Sequence, residues 1–163
     1  MEEIKKRKTG LRRPYDDHIG VYPCRSFNLG KQTVSYPHTD TLNLAQSWCT
    51  ISPVGNFNSK EGGQLVLWNL GLVVDFPAGS TILIPSALII HSNTNIQQHE
   101  TRYSIVQYSA GGLFRWVENG YMSDVEWDRT ATHDQVKERE KNKAERWRQA
   151  VQMFSKLPDL QPN

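Results

Sequence analysis

From about residue 25 to 121 the chain is a succession of short β-rich runs separated by Gly, Pro, Asn and Ser, and this spacing constrains the fold more than any other feature. The runs lie at 32–36, 47–51, 64–69, 72–76, 81–85, 89–93 and 103–108. Runs of strand length, closed at short intervals by turn-forming residues, predict an all-β barrel or two-sheet jelly roll rather than alternating βα units. A polar, glycine-bearing stretch at 56–63 is expected as a loop. The texture changes at 134–154, where Val136, Trp147, Val151 and Phe154 recur among alternating charges. That pattern predicts a surface helix with a modest apolar face, ended by Leu157-Pro158.

A chain of 163 residues has the length of one globular domain. The expected organisation is a basic N-terminal arm over 1–20, a β domain over 21–130, and a helix and tail over 131–163. Lys5, Lys6, Arg7, Lys8, Arg12 and Arg13 crowd the arm, which is either a solvated tail or a contact for nucleic acid phosphates. The whole carries a formal charge of only +2, so neither disorder nor a strongly polyanion-directed surface follows from composition. Cys24 and Cys49 form no CxxC pair and imply no disulfide framework, which fits an intracellular protein with reduced thiols. The longest apolar tract, 72–90, is broken by Asp75, Pro77, Gly79 and Pro85, so no membrane-spanning helix is expected.

Chemistry is carried by His38-Thr39-Asp40 and by His91. On an extended strand side chains alternate, so His38 and Asp40 share a face and can take adjacent positions on one metal, with His91 arriving from another strand. Two imidazoles and one carboxylate on one face of an ion leave open positions, the arrangement that suits Fe(II) enzymes activating O2. Zinc hydrolases use similar ligands, usually through a helical HExxH pair that is absent here. A His-x-Asp triplet alone is more often a structural hydrogen bond on a strand than a metal site. Arg102-Tyr103-Ser104 follows inside a β-like run. Arg102 offers a fork of donors that matches a carboxylate, and Ser104 faces the same way; the rival role for Arg102 is a surface ion pair with Glu100.

Taken in order, His38-Thr39-Asp40, Gly62-Gly63-Gln64-Leu65, the turn Phe76-Pro77-Ala78-Gly79-Ser80, His91 and Arg102-Tyr103-Ser104 resemble the Fe(II)/2-oxoglutarate-dependent oxygenases. The resemblance covers roughly residues 34 to 121. It implies a mainly β fold, a double-stranded β-helix (jelly roll, cupin-like) with a C-terminal α-helix. It implies iron held by His38, Asp40 and His91, and 2-oxoglutarate held at its distal carboxylate by Arg102 and Ser104. O2 is then the second co-substrate, and oxidation of a substrate C–H bond is coupled to decarboxylation of the keto acid to succinate.

Within that superfamily the chain is most similar to the TET/JBP branch, above all its compact fungal members, which oxidise the methyl group of modified pyrimidines in DNA. His38 to Asn43 reads His-x-Asp-x-x-Asn, and the resemblance implies that Asn43 reads the target base. Tyr108 resembles an aromatic residue that stacks on the extruded base, although Ala110 stands where those enzymes often have a histidine. Tyr36, Trp48 and Trp116 are further aromatic candidates, Trp48 for the substrate site, with core packing as the rival role for both tryptophans. Arg115, Arg146 and Arg148 are candidates for phosphate contacts. The resemblance thus implies 5-methylcytosine or a similar base in DNA as substrate, a role in DNA demethylation and a nuclear location. Nothing resembles the cysteine-rich region of larger TET proteins, so a partner protein is one way to complete the grip on DNA. Two other readings stay open: a peptidyl hydroxylase of the prolyl hydroxylase type, and a catalytically inactive nucleic-acid-binding β-barrel.

Overall fold

A computed structural model of the protein describes residues 20–160, so nearly all of the basic arm expected over 1–20 lies outside the described residues. Seven strands form two antiparallel sheets: β1 (Cys24–Asn28), β2 (Cys49–Asn56), β3 (Leu65–Leu67), β4 (Leu72–Val74), β5 (Ile82–Ile84), β6 (His91–Asn93) and β7 (Thr101–Tyr108). One sheet has the order β1-β7-β2-β5 and the other β4-β3-β6. Three helices follow, α1 (Gly111–Glu118), α2 (Asp124–Thr130) and α3 (His133–Gln152). The chain forms two compact units that divide between Gly112 and Leu113. Among the described residues no helix is long and apolar enough to cross a membrane.

The first unit is mainly β, with one apolar core fed by both sheets. Cys49 and Ile51 of β2 and Ile84 of β5 meet Leu65 and Leu67 of β3, with Phe76 between, and Val74, Ile82, Val106 and Tyr108 pack around them. Alternation shows from Ile51 on, where Ile51 and Pro53 are buried while Ser52 and Val54 are not; at the start of β2, Thr50 is buried as well as Cys49. Pro53 lies inside a strand without breaking it. Its carbonyl accepts from Gly79 N–H at 2.8 Å, on the side away from β7, so its missing N–H falls on that same side and no rung to β7 is lost.

Gly55 stands opposite Arg102 in the β2–β7 register. It has φ +131°, and a Cβ there would run into the backbone carbonyl of Thr101. Only glycine lets β2 come this close to β7 at Arg102. Gly55→Ala is therefore expected to lower unfolding free energy by about 1–3 kcal/mol. Urea denaturation reads this as a fall in midpoint at constant slope, and an unchanged midpoint would show that the strands separate there without strain.

The run expected at 32–36 is not a strand. Residues 32–43 are tied to the sheets by three isolated bridges, Gln32 to Arg102, His38 to His91 and Asn43 to Ala110. The other six expected runs coincide with strands. In the second unit, α2 and α3 each begin with a capping box, Ser123 with Glu126 and Thr132 with Gln135. Arg139 of α3 lies 4.3 Å from the Trp127 ring centre and 3.2 Å from Asp124, tying α3 to α2. The helix expected at 134–154 is present over 133–152, and its Val136, Trp147 and Val151 are exposed.

Candidate metal and anion site

A cavity of about 550 Å³ opens in the first unit. Four residues of β7 line it, Arg102, Ser104, Val106 and Tyr108, each two apart and so on one face of the strand. Their partners Asn28 and Ser26 on β1 and Ile51 on β2 continue that wall. Leu65, His91 and Asn93 line it from the other sheet, and residues 33–35 and 38–43 complete it.

His38 and His91 are brought together by the backbone. His38 N–H donates to the His91 carbonyl at 3.1 Å and His91 N–H to the His38 carbonyl at 2.9 Å, a reciprocal antiparallel pair that sets their side chains next to each other. The ring centres lie 4.4 Å apart. In each ring Nδ1 is 2.7 or 2.8 Å from a carbonyl two residues earlier, Tyr36 O for His38 and Ile89 O for His91. A carbonyl can only accept, so Nδ1 carries the proton in both and Nε2 keeps its lone pair for a ligand. Asp40 comes in through its backbone, its N–H donating to the Ser86 carbonyl at 3.0 Å. Its Oδ1 lies 3.5 Å from His38 Nε2.

One donor atom from each of His38, Asp40 and His91 lies within 4.8 Å of the others. Adjacent donors at ordinary bond lengths around one ion stand roughly 3 Å apart, so small side-chain adjustments bring all three onto a single metal. The donor set therefore fits a divalent ion of borderline character, iron included. The side chains of His38 and Asp40 are 43% and 28% exposed, whereas His91 is buried, so the site faces the cavity mouth. Cys49 lies below. Burial, and secondarily the charge of Asp40, pushes its thiol up to about 11 against a hydrogen bond from Ser86, so it stays a neutral thiol beside the site.

Arg102 is only 3% exposed. Its Nη1 donates to the Thr33 carbonyl at 3.0 Å, its buried Nε has no partner, and burial holds its pKa below the usual arginine value. No ion pair to it is found among the described residues, and Glu100, the rival partner, instead accepts from the backbone N–H of Asn58 and Gln97. A buried guanidinium without an anion is unfavourable, and Arg102 lines a cavity with room for one. Ser104, also buried, accepts from Asn28 Nδ2 at 2.8 Å, which leaves its own O–H free to donate. Thr33, Asn28 and Asn93 were not singled out by their sequence context. The strand parity of β1 was the only clue to Asn28, and β1 itself carries almost no β signal.

Asn43 and Tyr108 line the same cavity, but Trp48 does not; it is 46% exposed and lies neither in that wall nor in the core. Tyr36 is exposed beside the His38 anchor. Trp116 is half-buried and stacks edge-on with Tyr121 at 4.8 Å. Arg115, Arg146 and Arg148 have acidic partners in Asp124, Glu118 and Glu145, at 3.3, 2.7 and 3.7 Å.

No protein-family model matches the chain, and no curated protein matches it either. Among solved structures it is similar to NgTET1 in complex with 5mC DNA, at 23% identity and a TM-score of 0.49, over 55% of this chain and 34% of that one. The matched part is thus about a third of that neighbour's length, too little and too distant for its activity to bear on this chain.

Proposed function

We propose that the chain is an Fe(II)- and 2-oxoglutarate-dependent oxygenase of the double-stranded β-helix type, acting on the methyl group of 5-methylcytosine or a similar base in DNA. One observation carries the reading: three side chains that could hold one metal ion line a cavity that also holds a buried guanidinium with no counter-charge among the described residues. In this reading His38, Asp40 and His91 hold the ion through one face. Arg102 and the Ser104 hydroxyl grip the far carboxylate of the keto acid, a bidentate and charge-assisted contact in a dry place. Bound iron supplies O2 activation coupled to decarboxylation of that keto acid. The chain supplies placement, with both co-substrates in register and water kept from the deep end.

Of the three candidate ligands only His91 is buried, so the substrate would enter from the exposed side of His38 and Asp40. A methyl group stacked inside a duplex is shielded from an ion held in a protein cavity, so the nucleotide must be extruded. Tyr108 on the cavity wall offers its ring, and Asn43 its side-chain Oδ1, to the extruded base. Those two residues and the His-x-Asp-x-x-Asn pattern support a base over a peptide substrate.

The test is aerobic incubation of a 5-methylcytosine duplex with protein, Fe(II) and 2-oxoglutarate, followed by mass spectrometry of the nucleosides. The expected product is 5-hydroxymethylcytosine with matching succinate. Succinate formed only in the presence of prolyl peptides would move the substrate to protein, and tight DNA binding with no succinate would make the chain a binding module.

A further inference from the structure

The side-chain amide of Asn43 has a use inside the protein. Its Nδ2 lies 3.2 Å from Asp40 Oδ2 and 3.1 Å from the Ser86 hydroxyl, and its backbone N–H donates to the Asp40 carbonyl at 2.9 Å. A carboxylate accepts and cannot donate, so the NH2 end of the amide faces Asp40 and both of its protons are engaged. Ser86 is 1% exposed, and its carbonyl also receives the Asp40 N–H at 3.0 Å. Asp40 is thereby held at three points: its N–H by Ser86, its carbonyl by the Asn43 backbone, and Oδ2 by the Asn43 side chain. The other carboxylate oxygen, Oδ1, is the one turned toward His38 Nε2.

We infer that Asn43, braced by Ser86, is a positioning residue for the metal site: it occupies Oδ2 of Asp40 so that the carboxylate meets the ion through Oδ1 alone. This rests on the metal-site reading above and gives the Nδ2 end of Asn43 a role at the metal site, beside the acceptor that its Oδ1 offers to the substrate. A one-oxygen contact keeps a coordination position open that a two-oxygen contact would fill. Of the amide, only Oδ1 stays available to a ligand in the cavity, and it can only accept. Hydrogen bonds to ligating carboxylates fix ligand direction, and their loss typically lowers metal affinity or activity about 10–100-fold.

The experiment titrates Co(II), a spectroscopic stand-in for Fe(II), into the wild-type protein and into Asn43→Leu, Asn43→Ala and Ser86→Ala, with no keto acid or DNA present. Visible absorption reads both affinity and coordination number, and thermal melting of the metal-free proteins reads folding. Asn43→Leu and Asn43→Ala are expected to bind Co(II) about 10–100-fold more weakly, with weaker bands as Asp40 swings to a two-oxygen contact. Ser86→Ala, which leaves the amide in place but unbraced, is expected to shift the same bands to a lesser degree, and to add nothing in an Asn43→Leu background. Wild-type affinity and spectrum in a folded Asn43→Leu or Asn43→Ala protein would overturn the inference while leaving the oxygenase reading intact. Failure of the wild-type protein to take up Co(II) would remove both.

Discussion

Alanine at position 38 is expected to lower Fe(II) affinity by a factor of about 10²–10³, because protein metal sites of four ligands are worth about 10–16 kcal/mol and one ligand about a quarter of that. His38 is the informative position. Its side chain is 43% exposed, so its removal opens no void in the core. His91→Ala is expected to lose as much affinity, but that residue is 4% exposed and its Nδ1 is anchored on the Ile89 carbonyl, so a stability loss will accompany it. Anaerobic titration with Fe(II) and 2-oxoglutarate, followed by the weak charge-transfer band of the keto-acid complex, measures the effect. Wild-type affinity in His38→Ala would end the metal-site reading, since Asp40 and His91 alone cannot hold the ion as tightly.

The three candidate metal ligands are legible because two of them lie two residues apart and the third sits in a β run, but the reason they meet is not. Alternation places both side chains on one face only where the strand is continuous through His38–Asp40. The chain there is irregular, and what aligns the two imidazoles is a single reciprocal backbone pair between His38 and His91. Pairing between distant segments leaves no periodicity in the sequence. β1 was missed for the same reason: Cys-Arg-Ser-Phe-Asn has little strand propensity, and its five residues are extended because each is in register with β7. β2 runs past its expected end at 51 through Pro53 and Gly55, which read as strand breakers. Each is tolerated for a local reason, the proline because its imide faces away from β7 and the glycine because β7 leaves no space for a Cβ. The helices at 111–118 and 124–130 escaped differently. Gly111-Gly112 opens the first against its propensity, whereas Ser123 with Glu126 is a capping box that the sequence does display.

The burial of Arg102 is the least legible feature, since the sequence leaves a surface ion pair with Glu100 as a rival role. It also has the most to say about function, because stability and ligand binding oppose each other there. Arg102→Met keeps a long, flexible side chain and removes a buried charge whose Nε is unpartnered. Replacing uncompensated buried charge by apolar volume is neutral or stabilising by about 1–4 kcal/mol, so the metal-free, keto-acid-free variant is expected to melt at or above the wild-type temperature. The order reverses with ligand. Wild-type protein in 2-oxoglutarate at about 100 times its dissociation constant gains about 2.7 kcal/mol, and Arg102→Met is expected to gain nothing at that concentration. Fe(II) affinity without the keto acid should be the same in both, because Arg102 is not among the metal-ligating side chains. Thermal melting with and without Fe(II) and 2-oxoglutarate separates these effects. A variant less stable than wild type and still stabilised by 2-oxoglutarate would mean that Arg102 supports the fold rather than an anion, and the cavity would then need another explanation for its buried positive charge.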